Sequence, residues 1–561
     1  METRPKVSSV AAPVEKPLPL WILYPLFFVA VYLSHWPLLR LPYFWDEAGY
    51  YIPAALDFFR TGSLIPHSTI TNAHPPMPSI LLAGWWHLSG YVISGTRTFV
   101  SMVAAAALLG IFRTARLLGG TAVASAVTLL TAIYPVWFAQ STLAHADIFA
   151  AAFSLWGLSF YFERYHPSLE RVSAGRLAGT ALLFSLAALS KETAIVTPVA
   201  LAVWEAVLLL TERKQPGSMA RWAWVAALLA PILPLALWYL YHYLHTGFIF
   251  GNPEFLRYNA TANLTLLRVL VSLWHRVTHL TMHMNLYVPI VTTLAMAFMP
   301  LRTDTDAVDA PAVHKPALTA MTVVVVGNAI AFSILGGALL TRYLLPLYPL
   351  VLLACVALWR TRLRAWPWLA VLTAVGFASA LFVNPPYAFA PEDNLTYRDM
   401  VLLHQQAAKV IETRYPYATV LTAWPGVAEL QRPELGYTHH AFKIATIENF
   451  TLEQIQKAAA DPGSYDTAFL FSTKWVPPQG RLNLGSRSEA TARKLYDFHR
   501  DLTPTEAAAL LHGDIVWQGA RNGEWAAVLR FPRSVEARLR PGADLRRETS
   551  HTIISLCRSP F

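Results

Sequence analysis

The sequence predicts a polytopic α-helical membrane protein of about eleven spans, followed by an α/β domain of about 170 residues outside the membrane. Three observations predict it. Hydrophobic residues fill 55% of the 561 positions and charged residues only 14%, far from a soluble composition. Apolar runs near the ~20 residues that cross a bilayer recur as far as residue 385, and beyond it polarity rises and helix and strand periods alternate. The net charge of +10 lies largely in short loops between the apolar runs. There it sets orientation, and no nucleic-acid partner is needed to explain it.

Residues 1–18 are polar, and the apolar run that starts at Pro19 has no small-residue cleavage site, so it reads as a retained signal anchor. Spans are expected near 19–40, 97–117, 121–141, 146–163, 176–190, 192–210, 222–243, 284–301, 317–339, 343–359 and 366–384. With a cytoplasmic N-terminus, the inside segments hold sixteen basic residues and the outside positions before the tail hold eight. The positive-inside rule therefore places the loops 41–96 and 244–283 and the tail 386–561 on the extracytoplasmic side. Cys355 and Cys557 give no disulfide framework.

Three outer regions are more than connectors. Residues 41–96 carry an apolar stripe (Tyr51, Ala54, Ala55, Phe58, Phe59) that suits an interfacial helix, then the turn His74-Pro75-Pro76 and a short apolar helix. Residues 264–283 place Arg268, Ser272, His275, Arg276, His279 and His283 on one side at helical spacing, which predicts an amphipathic surface helix. The tail predicts helices near 396–413, 451–460 and 487–512, strands near 418–423 and 466–471, and a hairpin from Ile515 to Phe531 turning at Arg521-Asn522-Gly523.

Ionisable residues at the outer membrane face are where chemistry is expected, because charge is expensive at that depth. Asp46 reads as the N-cap of the helix that follows it and, beside Glu47, as a general base within reach of a substrate hydroxyl. One side chain can do both. His74 is a titratable group on a rigid turn, and Asp147 with His145 opens the fourth span, where the helix dipole favours a carboxylate. Lys191 and Glu192 interrupt two short apolar segments. Arg342-Tyr343 enters an apolar helix from outside, its guanidinium either a fork for phosphate or an interfacial anchor. His275, His279 and His283 have ligand-like spacing, but no carboxylate shares their segment, so a polar stripe is the preferred reading.

In order, Phe44-Trp45-Asp46-Glu47-Ala48, His74-Pro75-Pro76, Ala144-His145-Ala146-Asp147-Ile148, Leu189-Ser190-Lys191-Glu192-Thr193 and Arg342-Tyr343-Leu344-Leu345-Pro346 resemble the motifs of the GT-C superfamily of polyprenyl-phosphate-sugar-dependent glycosyltransferases. Within it the chain resembles the protein O-mannosyltransferase-like, aminoarabinose-transferase-like and RgtA/B/C/D-like bacterial enzymes, over roughly residues 19–385. The resemblance implies a GT-C-like catalytic domain in an inner (plasma) membrane and a donor of polyprenyl-phosphate-linked sugar. The acceptor, a lipid, glycan or protein, approaches from the aqueous side. It further implies a catalytic set of Asp46, Glu47 and Asp147, with His74, Lys191, Arg342 and Tyr343 binding substrate and phosphate. Asp46 would take the acceptor's proton as sugar transfers with inversion. The aminoarabinose-transferase pattern has Glu-Lys where this chain has Ala73-His74, which weakens the case for that sugar and for a carboxylate metal ligand there. A divalent metal held by His74 with the 275–283 histidines is left open. The alternative from another class is a transporter or flippase, whose charges would sit near the midplane of two related halves.

Overall fold

The computed structural model describes residues 19–71, 74–165, 173–211, 218–251, 265–302, 313–335, 339–475 and 500–531. Its first part is helical: α1 (Leu20–Ser34), α2 (Ile52–Thr61), α3 (Met77–Ser89), α4 (Ile93–Ile133), α5 (Pro135–Gln140), α6 (Ala146–Phe162), α7 (Ala174–Ser190) and α8 (Val196–Thr211). Then come α9 (Ser218–Leu229), α10 (Ile232–Thr246), α11 (Leu266–Thr281), α12 (Tyr287–Ala297), α13 (Lys315–Ile334), α14 (Tyr348–Arg362) and α15 (Trp366–Ala380). Proline in the first turn starts several of them, as in α2, α3, α5, α13, α14 and α15. Its missing N–H is one the helix cannot bond anyway. Left-handed Gly62 and Gly247 end α2 and α10. Inside α4 the backbone breaks at Gly120 (φ 79, ψ 174), between the two spans expected there. Only glycine adopts such a conformation freely.

Among the described residues, four helical stretches are long and apolar enough to cross a membrane: Ile93–Ile133, Glu192–Thr211, Met219–Thr246 and Lys315–Ile334. The pair Leu266–Asn285 and Tyr287–Ala297 qualifies together but is bent by 101°. Leu20–Ser34, Ala174–Ser190 and Trp366–Ala380 are apolar and shorter. Helix α11 is inverted relative to a soluble helix. Leu266, Leu267, Leu270 and Trp274 face outward, while Arg268, Ser272 and Arg276 are buried.

The tail folds as α16 (Thr396–Arg414), β1 (Thr419–Thr422), α17 (Gly426–Gln431), β2 (Lys443–Thr446), α18 (Leu452–Ala459), β3 (Thr467–Phe471), α19 (Pro504–Leu511), β4 (Asp514–Arg521) and β5 (Glu524–Arg530). The sheet order is β2-β1-β3-β5-β4, with β2, β1 and β3 parallel and the hairpin antiparallel. The hairpin turns at Asn522 (φ 45) and Gly523 (φ 87), the pair of left-handed residues a tight hairpin requires. Strand β2 and helix α17 are additions to the expected elements. The expected helix near 487–512 begins at Pro504 in the described residues, and 487–499 lie outside them. The tail rests on the loop that carries Asp46. Tyr43 N donates to Leu435 O (3.2 Å), Tyr437 Oη to Tyr43 O (3.1 Å) and Tyr91 Oη to Glu434 O (2.8 Å).

Candidate active site

The site begins in the backbone between α1 and α2. Trp45 has φ 45, and Glu47–Tyr51 form a π-turn, wider than an α-turn, that runs into α2. Asp46 makes no capping hydrogen bond, so the expected N-cap is corrected: its side chain goes instead to Arg342, with Nη2 donating to Oδ2. Glu47 points the other way. It is fully buried, bridges both terminal nitrogens of Arg97 (3.0 Å each), and accepts from Phe44 N (2.8 Å) and Ala144 N (2.6 Å). Its oxygens are committed to the scaffold, and no lone pair remains for a substrate proton. Arg97 also donates to the carbonyls of Leu41, Pro42 and Thr142 (3.2, 2.8 and 2.7 Å).

Arg342, from a short turn at Thr341–Leu344, is the hub of the second web. Besides Asp46 it donates to Glu392 (2.9 Å), and its Nε lies 3.4 Å from Asp147 Oδ2, at ion-pair distance. Lys191 Nζ closes on Asp147 Oδ1 at 2.5 Å. Lys191 also stands 3.8 Å from the ring centroid of Tyr343, and Arg276 and Arg342 lie 5.9 and 6.0 Å from the same ring. His74 binds Glu192 (2.9 Å) and stacks near Tyr51, whose ring is 6.0 Å from those of both His74 and His145. The structure thus joins Asp46, Asp147, Lys191, Arg342 and Tyr343, sets His74 beside them, and turns Glu47 away.

Two contributors escaped the sequence reading. Glu392 and Asp393 sit at the entry to the tail. Asp393 pairs with His283 (2.9 Å) and accepts from Thr341. Arg276 and Arg268, read as part of a polar stripe, lie on the buried side of α11. Arg268 Nη1, Ser272 Oγ, Arg276 Nε and His279 Nδ1 have no hydrogen-bond partner among the described residues, a row of buried polar atoms that includes two guanidinium donors. Arg276 Nη1 reaches Leu340 O (2.9 Å). Among the described residues, no group of three or more His, Cys, Asp or Glu is placed to hold a metal ion.

Around Arg342 three carboxylates face two cations, Arg342 and Lys191, so one acid is in excess. Burial pushes the Glu392 carboxyl up to about 7, with neighbouring Asp393 adding to the rise and Arg342 opposing it. The folded protein therefore keeps a proton that the unfolded chain sheds above the ordinary value of 4.5. This group's contribution to stability is full below that pH and is lost as pH rises through about 7. Glu392→Gln is expected to flatten the fall of thermal stability between those two pH values. An unaltered profile would place the excess proton elsewhere.

Residues 73–239 match the family model of dolichyl-phosphate-mannose-protein mannosyltransferase, a stretch that holds His74, Asp147 and Lys191. ArnT from Cupriavidus metallidurans, solved bound to undecaprenyl phosphate, aligns with a TM-score of 0.52 at 14% identity, over 90% of this chain and 98% of that one. Its apo form aligns at 0.50 and 14% identity, over 91% and 98%. The Archaeoglobus fulgidus oligosaccharyltransferase in complex with zinc and sulfate, 12% identical, aligns more loosely, with a TM-score of 0.47 over 81% of this chain and 68% of that one. No curated protein sequence matches the chain. The chain has the GT-C fold, in agreement with the resemblance seen in its motifs.

Proposed function

We propose that the protein is a membrane glycosyltransferase that moves a sugar from a polyprenyl-phosphate donor to an acceptor at the extracytoplasmic face of an inner membrane. On this reading about eleven spans occupy residues 19–385. The N-terminus is cytoplasmic and the tail from 386 is outside. The observation that carries the proposal is Asp46: half-buried, held at Oδ2 by Arg342, and lining an open cleft of about 1930 Å³. A carboxylate so placed takes the proton of an acceptor hydroxyl through Oδ1. The acceptor oxygen bonds to the anomeric carbon as the bond to phosphate breaks, and the electron pair leaves on the phosphate.

The leaving anion needs donors that are not already spent. Lys191 and Arg342 are engaged by Asp147, Asp46 and Glu392, so their role is to fix the carboxylates and bias the local field. Among the described residues, Arg276 Nε and Arg268 Nη1 are left without a partner, and we assign them the phosphate. ArnT, which shares this fold, binds undecaprenyl phosphate, and that supports a lipid-phosphate donor here. Glu47 and Arg97 position the loop, and His74 with Glu192 borders the site.

The test is release of polyprenyl phosphate by purified protein from a panel of polyprenyl-phospho-sugars, with an envelope extract as acceptor, beside a flux assay of the same lipids in sealed vesicles. Release with sugar appearing on the acceptor is expected. Flux without release would select the transporter reading.

A further inference from the structure

The cleft beside Asp46 is built by two parts of the chain. One wall is the loop around Trp45–Tyr50 and His67–Ile70; the other is the tail, at the carboxyl ends of its parallel strands. In open α/β sheets that end, where strand order reverses, is where ligands bind. Here β1 is the switch strand, with β2 on one side and β3 on the other, and β1 runs directly into Trp424. The Cη2 edge of the Trp424 indole points at Gly49, where any Cβ would meet it at 1.2 Å, and the ring packs against Tyr50 with centroids 5.0 Å apart. Arg432 reaches back from the tail to the Ser68 carbonyl and closes one end.

The chemistry of the lining narrows the occupant. Half-buried aromatic faces, Trp45, Tyr50 and Trp424, stand next to Asp46 and offer platforms for the C–H faces of sugar rings. The charged lining is mixed, with Asp46, Glu448, Glu453, Asp461 and Glu506 beside Arg432, Lys457, Lys474 and Arg500, so the walls present no field of one sign. A polyanion would need unopposed cations, and an acyl chain would need continuous apolar walls. The cleft also exceeds the roughly 300–1,000 Å³ of a pocket for one small molecule, which fits an extended ligand.

We propose that this cleft is the acceptor site and that its ligand is a neutral, polyhydroxylated oligosaccharide, laid across Trp424 and Tyr50 with its terminal hydroxyl at Asp46. The assignment rests on the transferase reading above, and it makes the tail a specificity element.

Binding of fluorescently labelled neutral oligosaccharides, released by mild acid from bacterial envelope glycans, is measured on the full-length protein in detergent without any donor. An acidic peptide and sugar-free phospholipid vesicles serve as comparators. Saturable binding of the oligosaccharides alone is expected, weakened at least tenfold in Trp424→Ala. Thr446→Trp is expected to do the same by filling the cleft from an exposed strand end where no packing is lost. Absence of oligosaccharide binding, equal binding in Thr446→Trp, or preference for peptide or vesicles overturns the assignment. If donor release occurs without oligosaccharide binding, the cleft assignment fails and the transferase stands. If oligosaccharides bind but no donor is consumed, the transferase reading fails and the cleft remains a glycan site.

Discussion

Arg97→Met is expected to destabilise the protein by about 3–5 kcal/mol, because it strips the partner from a carboxylate that has no access to water. Glu47 is fully buried, and Arg97 supplies two of its four hydrogen bonds while tying down the carbonyls of Leu41, Pro42 and Thr142. That loss is a large share of the ~5–15 kcal/mol that holds a domain folded. Folded yield and thermal unfolding in detergent should both drop sharply. Adding Glu47→Gln should recover part of the loss, since the stranded charge is gone. Glu47→Gln alone should lower stability before it lowers turnover per folded molecule. A stable Glu47→Gln with abolished turnover would instead return Glu47 to the catalytic role that its place beside Asp46 suggested.

Arg276→Gln is expected to raise the donor KM by roughly 10- to 100-fold, the worth of a charge-assisted hydrogen bond in a buried site. It should do so without weakening the free protein. Arg276 is buried with an unpaired Nε among the described residues and is held there by one carbonyl and aromatic faces, and a buried cation so partly compensated is itself a burden. The neutral amide should therefore leave the melting temperature of the unliganded protein unchanged or raised. What should shrink is the stabilisation that donor lipid adds, because that increment follows its affinity. An unchanged donor KM together with a lowered melting temperature would make Arg276 a structural residue.

Much of the site was legible because its chemistry is local in sequence, and the rest was not because its geometry is long-range. Asp46 stood out as charge beside an apolar span, but its partner Arg342 lies 296 residues away, and only the order of family motifs joined the two. The same rule that singled out Asp46 and Glu47 applies to Glu392 and Asp393, two carboxylates just past the last apolar run. The rise in polarity there marked them as tail. On α11 the spacing gave the right stripe but not its direction. A helix with apolar residues outward and arginines inward has the same periodicity as its inverse. Asp46 and Glu47 diverge through the π-turn and the positive φ of Trp45, features that propensities do not encode. In the tail, β2 is a four-residue strand at the sheet edge, too short for alternation to show. The hairpin was read from Asn522-Gly523 because that turn's backbone demands those residues.

The most direct test of the account is turnover of a polyprenyl-phospho-sugar by Asp46→Asn beside wild type, with fold checked by the thermal unfolding of each. The amide keeps the size and the contact to Arg342 but cannot take a proton. Product formation is expected to fall by about 10²- to 10⁴-fold while the donor KM stays near the wild-type value, because the phosphate donors proposed above lie on α11. Turnover by Asp46→Asn at the wild-type rate would contradict the proposed role of Asp46.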